Sequence, residues 1–219
     1  MYTIKALPYK TYLTPENDSL NWKPGREDRA ILESHGFTCK CCGLKSRKHR
    51  DYPSGYLEVI KIENSKQALC AMCNQSQHLG RPINDKLNHG LIIYCPSLTQ
   101  GQICKLAQYA FIAKYRENQF AEKANLLIGT ISRDLVEPVT KIIPGLSAGD
   151  VQEFVDIYEY MSPRLRQQSR ELFRDLRYWP NETVFIKQTE FWDCAAYQNL
   201  SNDLELTCPE NTLAHSAMA

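Results

Sequence analysis

The sequence predicts an α+β fold, with a small ββα module near the N-terminus followed by a mostly helical layer. Three observations carry that reading. Two C-x-x-C pairs, Cys39 with Cys42 and Cys70 with Cys73, bracket a β-branched segment from Gly55 to Ile62. A second apolar run, Gly90 to Cys95, is closed by Pro96, as a buried strand would be. From Thr99 onward the chain changes character, and capped segments with apolar residues three and four apart follow one another to Tyr197.

Taken in order, residues 1–23 mix Tyr, Leu and Thr with Pro8 and Pro15 and suit an extended lead-in with room for one edge strand. Over 24–35, Pro24 opens a short helix and Gly36 is placed to stop it, with Ala30, Ile31 and the stem of Arg29 facing inward. Beyond Gly80, a polar stretch with Pro82, Asn84, Asp85 and Asn88 reads as a loop. Thr99 and Gln102 form a capping box, and Ile103, Leu106, Ala110 and Phe111 follow at helical spacing. Ala124, Leu127, Ile128, Ile131 and Leu135 define a second helix, broken by Pro138. Ser147 with Asp150 opens a third, which carries Val151, Phe154, Val155 and Tyr158 on one face. Ser162 and Pro163 are an N-cap and a first helical residue, with Leu165, Leu172, Phe173 and Leu176 following before Pro180. A fifth segment, Val184 to Tyr197, carries Phe185, Phe191, Trp192 and Ala195. The expected organisation is therefore a lead-in (1–23), a ββα module (24–98), a helical region (99–200) and a frayed tail (201–219).

A chain of 219 residues can bury a real core. Its 26 basic and 25 acidic residues give a net charge of +1, so no global field drives it onto nucleic acid or an anionic membrane. No apolar stretch approaches the roughly 18 residues of a membrane span, and the opening residues lack the apolar region of a secretory signal. A cytoplasmic location without direct membrane insertion is expected. Nine cysteines are more than packing needs, and in a reducing compartment C-x-x-C pairs point to metal before disulfides. Tetrahedral zinc takes soft ligands, and each tight turn presents two sulfurs on one side, so Cys39, Cys42, Cys70 and Cys73 are expected to hold one structural Zn2+. Gly43 suits the left-handed backbone of such a turn. The 27 residues between the pairs leave room for an inserted hairpin. Cys41 reads as a free thiol, and the single Cys95, Cys104, Cys194 and Cys208 as fillers or exposed thiols.

The order of a helix, G-F-T-C-K-C-C-G, L-E-V-I-K-I, Asn64 and L-C-A-M-C resembles the zinc-bearing HNH endonuclease module over about residues 24–80. The resemblance implies an Asp or His and then a water-activating histidine after L-E-V, and a metal-binding histidine after the last C-x-x-C. This chain has Ile60, Lys61 and Asn74 there, and neither an aliphatic nor an ammonium side chain can serve as the base or hold the catalytic metal, so no catalytic residue is expected. His78, four residues past Asn74, could share its helical face and reads as a surface or supporting histidine.

Longer runs are similar to the DotN (IcmJ) family of Dot/Icm type IVB secretion systems: F-T-C-K-C-C-G-L, A-L-C-A-M-C, L-I-I-Y-C-P-S-L-T-Q and L-R-Y-W-P-N-E-T-V-F-I-K-Q-T-E-F-W, within about residues 30–195. That resemblance implies a zinc-containing, non-catalytic adaptor, peripheral to the inner membrane through its complex. Its implied partners are the C-terminal tail of a coupling ATPase of the DotL type and other coupling-complex subunits. Among aromatic residues beyond core need, Tyr178, Trp179 and Trp192 are the candidate partner contacts. The alternatives are a divergent HNH nuclease, or nucleic-acid binding through Lys40, Lys45, Arg47, Lys48, His49 and Arg50, a cluster that a solvated loop would equally explain.

Overall fold

The computed structural model describes residues 23–62, 65–81, 89–117 and 119–195. The lead-in before Lys23, Asn64, the polar loop at 82–88, Tyr197, Cys208, the C-terminal tail and the side chains of Cys194 and Ala195 lie outside the described residues. Helix α1 (Arg26–Ser34) stops where Gly36 takes a φ of 56°, and Phe37 N then donates to Leu32 O at 2.9 Å. Its inward residue is Leu32, while Ala30 is exposed and Ile31 only half-buried. The inward face expected at Ala30 and Arg29 is thus corrected toward the last turn, and Arg29 Nε bonds Pro24 O at 3.1 Å.

Strands β1 (Leu57–Ile62) and β2 (Ser65–Cys70) form an antiparallel hairpin with Leu57 opposite Cys70 and Ile62 opposite Ser65. Helix α2 (Ala71–Gln77) follows β2 without a break, completing the ββα order, and all seven of its residues are buried. Strand β3 (Gly90–Tyr94) pairs antiparallel with β4 (Leu176–Pro180). The sequence reading ran β4 into the preceding helical segment. A five-residue apolar run next to a helix has no period of its own, and its partner strand comes from far upstream. This sheet ties together residues on both sides of the boundary placed at 98.

Three helices begin at side-chain caps. Thr99 and Gln102 make a reciprocal capping box for α3 (Gln100–Tyr115), Asp150 accepts from Glu153 N at 2.9 Å to open α6 (Val151–Tyr160), and Ser162 caps α7 (Pro163–Leu172). Between them, α4 (Ala121–Thr130) widens into a π-turn over Ile131–Leu135, and Pro138 sits in the first turn of α5 (Glu137–Ile142). The chain ends its described part in α8 (Ile186–Ala195).

Two apolar clusters result. One joins Leu32, Leu57 and Met72 of the module to Ile103 and Phe111 of α3 and to Phe185 and Trp192, and the other gathers Leu79, Ile92, Val139, Phe154, Leu176 and Tyr178. Burying each large apolar side chain contributes roughly 1.5–3 kcal/mol. Polar contacts stitch the clusters together. Buried Gln100 donates through Nε2 to Tyr178 O at 2.8 Å and accepts from Tyr178 N at 2.8 Å, so one side-chain amide completes the outer edge of β4. Buried His89 has Nδ1 3.1 Å from the Tyr178 hydroxyl and Nε2 2.9 Å from Leu79 O, and Gln75 of α2 reaches the same Nε2 at 2.8 Å. Burial pushes the His89 pKa down to about 4.

Gln100→Leu leaves the Tyr178 N–H and C=O unpaired inside the core, and the expected loss is about 2–4 kcal/mol, read as a lower urea midpoint with an unchanged slope. His89 makes a second, pH-dependent prediction. Unfolded, it binds its proton near pH 6.5, whereas folded it stays neutral to about 4. The unfolded state therefore holds the extra proton between those values, and this contribution to stability is lost as pH falls through that window, up to about 3 kcal/mol. Urea titrations from pH 7.5 to pH 4 should show the decline, and His89→Asn should flatten that part of it.

Candidate metal centre

The first cysteine pair sits on a tight knuckle. Cys39 N donates to Leu44 O at 2.8 Å, Gly43 N returns to Cys39 O at 2.9 Å, and Gly43 takes the left-handed φ of 76° that the turn needs. Thr38 and Lys45 bridge the two arms. The second pair straddles a junction: Cys70 ends β2 and stands at the residue before α2, and Cys73 lies in the first helical turn. Lys40 N donates to Ala68 O at 2.9 Å, which brings the knuckle against β2.

These ties converge four buried sulfurs. The Sγ atoms of Cys39, Cys42, Cys70 and Cys73 all lie within 4.8 Å of one another, and Cys42 and Cys70 are 3.7 Å apart. That separation is far beyond the ~2.05 Å of a disulfide. It matches the edge of a regular tetrahedron with metal–sulfur bonds of about 2.3 Å, which is about 3.8 Å. From α3, Gln108 Nε2 approaches Cys70 Sγ at 3.4 Å and Cys42 Sγ at 3.6 Å, as a donor supporting sulfur ligands would.

The charge balance also fits a cation. Burial pushes the Cys70 and Cys73 thiols well up. For Cys39 burial acts the same way, but hydrogen bonds from Cys42, Cys70 and Cys73 outweigh it and hold its thiol well below the usual value. Burial thus opposes thiolate charge at Cys70 and Cys73, and a dication bound among the four sulfurs would supply the opposing charge. Among the described residues this is the group of potential ligands that converges in this way, and it could hold one metal ion.

The remaining cysteines surround it. Cys104 is buried and accepts from Gln100 Nε2 at 3.3 Å, Cys95 is buried beside Ser97, and Cys41 is half-exposed. Helix α3 meets the knuckle at Gly101, where an added Cβ would stand 2.2 Å from Cys41 O.

At the positions that would carry imidazoles in the HNH-like reading, Ile60 is half-buried, Lys61 exposed and Asn74 fully buried. Asn74 Nδ2 donates to Glu58 Oε2 at 2.8 Å, and Arg81 Nη1 donates to the same oxygen at 2.9 Å. His78 does join Asn74, with Nδ1 2.8 Å from Asn74 Oδ1, as the four-residue spacing suggests. The buried Glu58–Arg81 pair had no signal in the sequence.

The three candidate partner contacts need correcting. Tyr178 and Trp192 are fully buried, and Trp179 is 3% exposed with its ring edge-on to Phe111. Trp192 Nε1 donates to Gly55 O at 3.3 Å. These side chains are core, because an aromatic run looks the same in a sequence whether it fills an interior or a surface groove. Exposure falls instead on Lys40, Lys45, Arg47, Lys48, His49 and Arg50. No helix among the described residues is long and apolar enough to cross a membrane.

Metal analysis of the purified protein should find one ion per chain, lost in Cys70→Ser. Structural zinc contributes on the order of 10 kcal/mol to small metal-dependent domains. In a chain with its own core, losing about 4 kcal/mol should lower the thermal midpoint by roughly 10 °C. An unchanged midpoint and metal content would remove Cys70 from the ligand set.

No family model matches the chain. Among curated proteins it is similar to the type 4 apparatus protein DotN of Legionella pneumophila subsp. pneumophila, strain Philadelphia 1, at 22% identity over 179 residues. The match covers 80% of this chain and 81% of that protein. The likeness to DotN thus spans about four-fifths of both sequences.

Proposed function

We propose that the protein is a non-catalytic, zinc-containing adaptor subunit of a type IVB secretion or conjugation coupling complex, binding the C-terminal tail of a DotL-type coupling ATPase. The observation that carries this reading is the likeness to DotN along most of both chains. Four buried sulfurs within 4.8 Å of one another suit zinc over the oxygen-seeking cations. In this reading the ion has no chemistry to perform. It locks the knuckle, through Cys39 and Cys42, to the start of α2, through Cys70 and Cys73, and so makes a rigid platform.

The residues at the HNH-like positions support a non-catalytic role. Ile60 offers no proton acceptor, Lys61 is a solvated ammonium, and the Asn74 amide is engaged with Glu58. The protein acts from the cytoplasmic face, peripheral to the inner membrane through its complex, where other coupling-complex subunits join it. The second reading, nucleic-acid binding, draws on the six exposed basic and histidine side chains that follow the knuckle.

Co-purification with the ATPase tail, followed by calorimetric titration at low and high salt, separates these readings. Tight binding that survives high salt is expected for an interface with an apolar centre, while phosphate contacts would weaken steeply with salt. Absence of binding at both salt levels would overturn the adaptor reading.

A further inference from the structure

The loop between the knuckle and β1 serves neither the metal nor the hairpin, yet it is firmly built. Ser46 Oγ and Trp192 Nε1 both donate to Gly55 O, at 2.7 Å and 3.3 Å. Gly55 has a φ of 61°, and a Cβ there would stand 2.4 Å from Arg47 O, so the two ends of the loop meet backbone to backbone. On this frame Tyr52 stacks on Tyr56 at 4.7 Å, and Phe191 of α8 sets its edge against both, at 5.6 Å and 5.4 Å. His49 completes the cluster, 5.9 Å from Phe191.

Arg47, His49, Tyr52, Lys187, Glu190 and Phe191 line a surface hollow of about 270 Å³. Tyr52 is 41% exposed at its rim. Arg47 and Lys187 are both exposed, and neither has an ion-pair partner among the described residues. Aromatic walls with two uncommitted cations above them match an apolar side chain flanked by carboxylates. With two uncommitted cations and Glu190 in the lining, the hollow can pair with a few carboxylates but offers no continuous track for a phosphate backbone, and the net charge of +1 supplies no long-range attraction for a polyanion.

We infer that this hollow docks an acidic peptide segment carrying an aromatic or large aliphatic anchor. The anchor rests against Tyr52 and Phe191, and its neighbouring carboxylates pair with Arg47 and Lys187. The inference stands apart from the coupling-complex reading, because it rests on the hollow alone.

The test uses the full, metal-loaded chain, a phage-displayed random peptide library and, separately, a labelled oligo(dT) strand. Selection should enrich peptides with carboxylates beside an aromatic or aliphatic residue. A synthetic peptide taken from the selection should bind about ten-fold more weakly to the double variant Arg47→Glu, Lys187→Glu, and similarly to Tyr52→Ala. Both variants change exposed side chains, and unchanged metal content and circular dichroism would show that they fold. Lys141→Glu, on α5 and outside the hollow, should bind as the parent does. The inference is overturned if no such peptides are enriched, or if their binding ignores these substitutions. It is equally overturned if oligo(dT) competes with the peptide and binds with a steep salt dependence, which would assign the hollow to nucleic acid.

Discussion

Four cysteine sulfurs buried within 4.8 Å of one another are the constraint around which the N-terminal module is arranged. The knuckle holds two sulfurs, the β2–α2 junction holds the other two, and the bond from Lys40 N to Ala68 O places one pair against the other. Nor does the constraint stop at the ligands. Gln108 offers its amide to two of the sulfurs, and Gly101 lets the backbone of α3 touch the knuckle. A long helix from beyond the module is thereby seated directly on the knuckle.

Away from the sulfurs, the architecture relies on neutral polar groups that are fully used. Gln100 closes the edge of β4 and His89 links Tyr178, Leu79 and Gln75, so the interior is tied together without burying a net charge. The Glu58–Arg81 pair is different in kind, since both side chains are buried and removing one partner would leave the other uncompensated, at about 3–5 kcal/mol. Surface pairs such as Lys141 with Glu137 contribute at most about 1 kcal/mol. Specific geometry in this protein therefore comes from a few interior contacts rather than from its many exposed charges.

Local chemistry was the legible part of the sequence. The two C-x-x-C turns, the capping box at Thr99, the Asp150 cap and the Ser162-Pro163 start each depend on residues close together in the chain, and each stands where expected. What escaped depended on distant partners. Strand β4 exists because β3 pairs with it, and Gln100 matters because Tyr178 lies beside it, although nothing near either residue announces this. Tyr178, Trp179 and Trp192 were misplaced for the same reason, since burial is decided by elements the local pattern does not contain. The inward residue of α1 was missed by a smaller margin, because a nine-residue helix gives the periodicity little length in which to show itself.

The bond from Trp192 to Gly55 joins residues 137 positions apart, and the indole is fully buried under the loop that follows the knuckle. During synthesis, then, the N-terminal module emerges with its floor missing, and the loop over it cannot settle until almost the whole described chain has been made. A polypeptide cut short before α8 would carry the four clustered cysteines and the hairpin, but it would display an open apolar seat where the indole belongs. Such a fragment would be marked for chaperones and proteases by its own surface, so completeness of the chain and finish of its exposed face are checked by the same side chain.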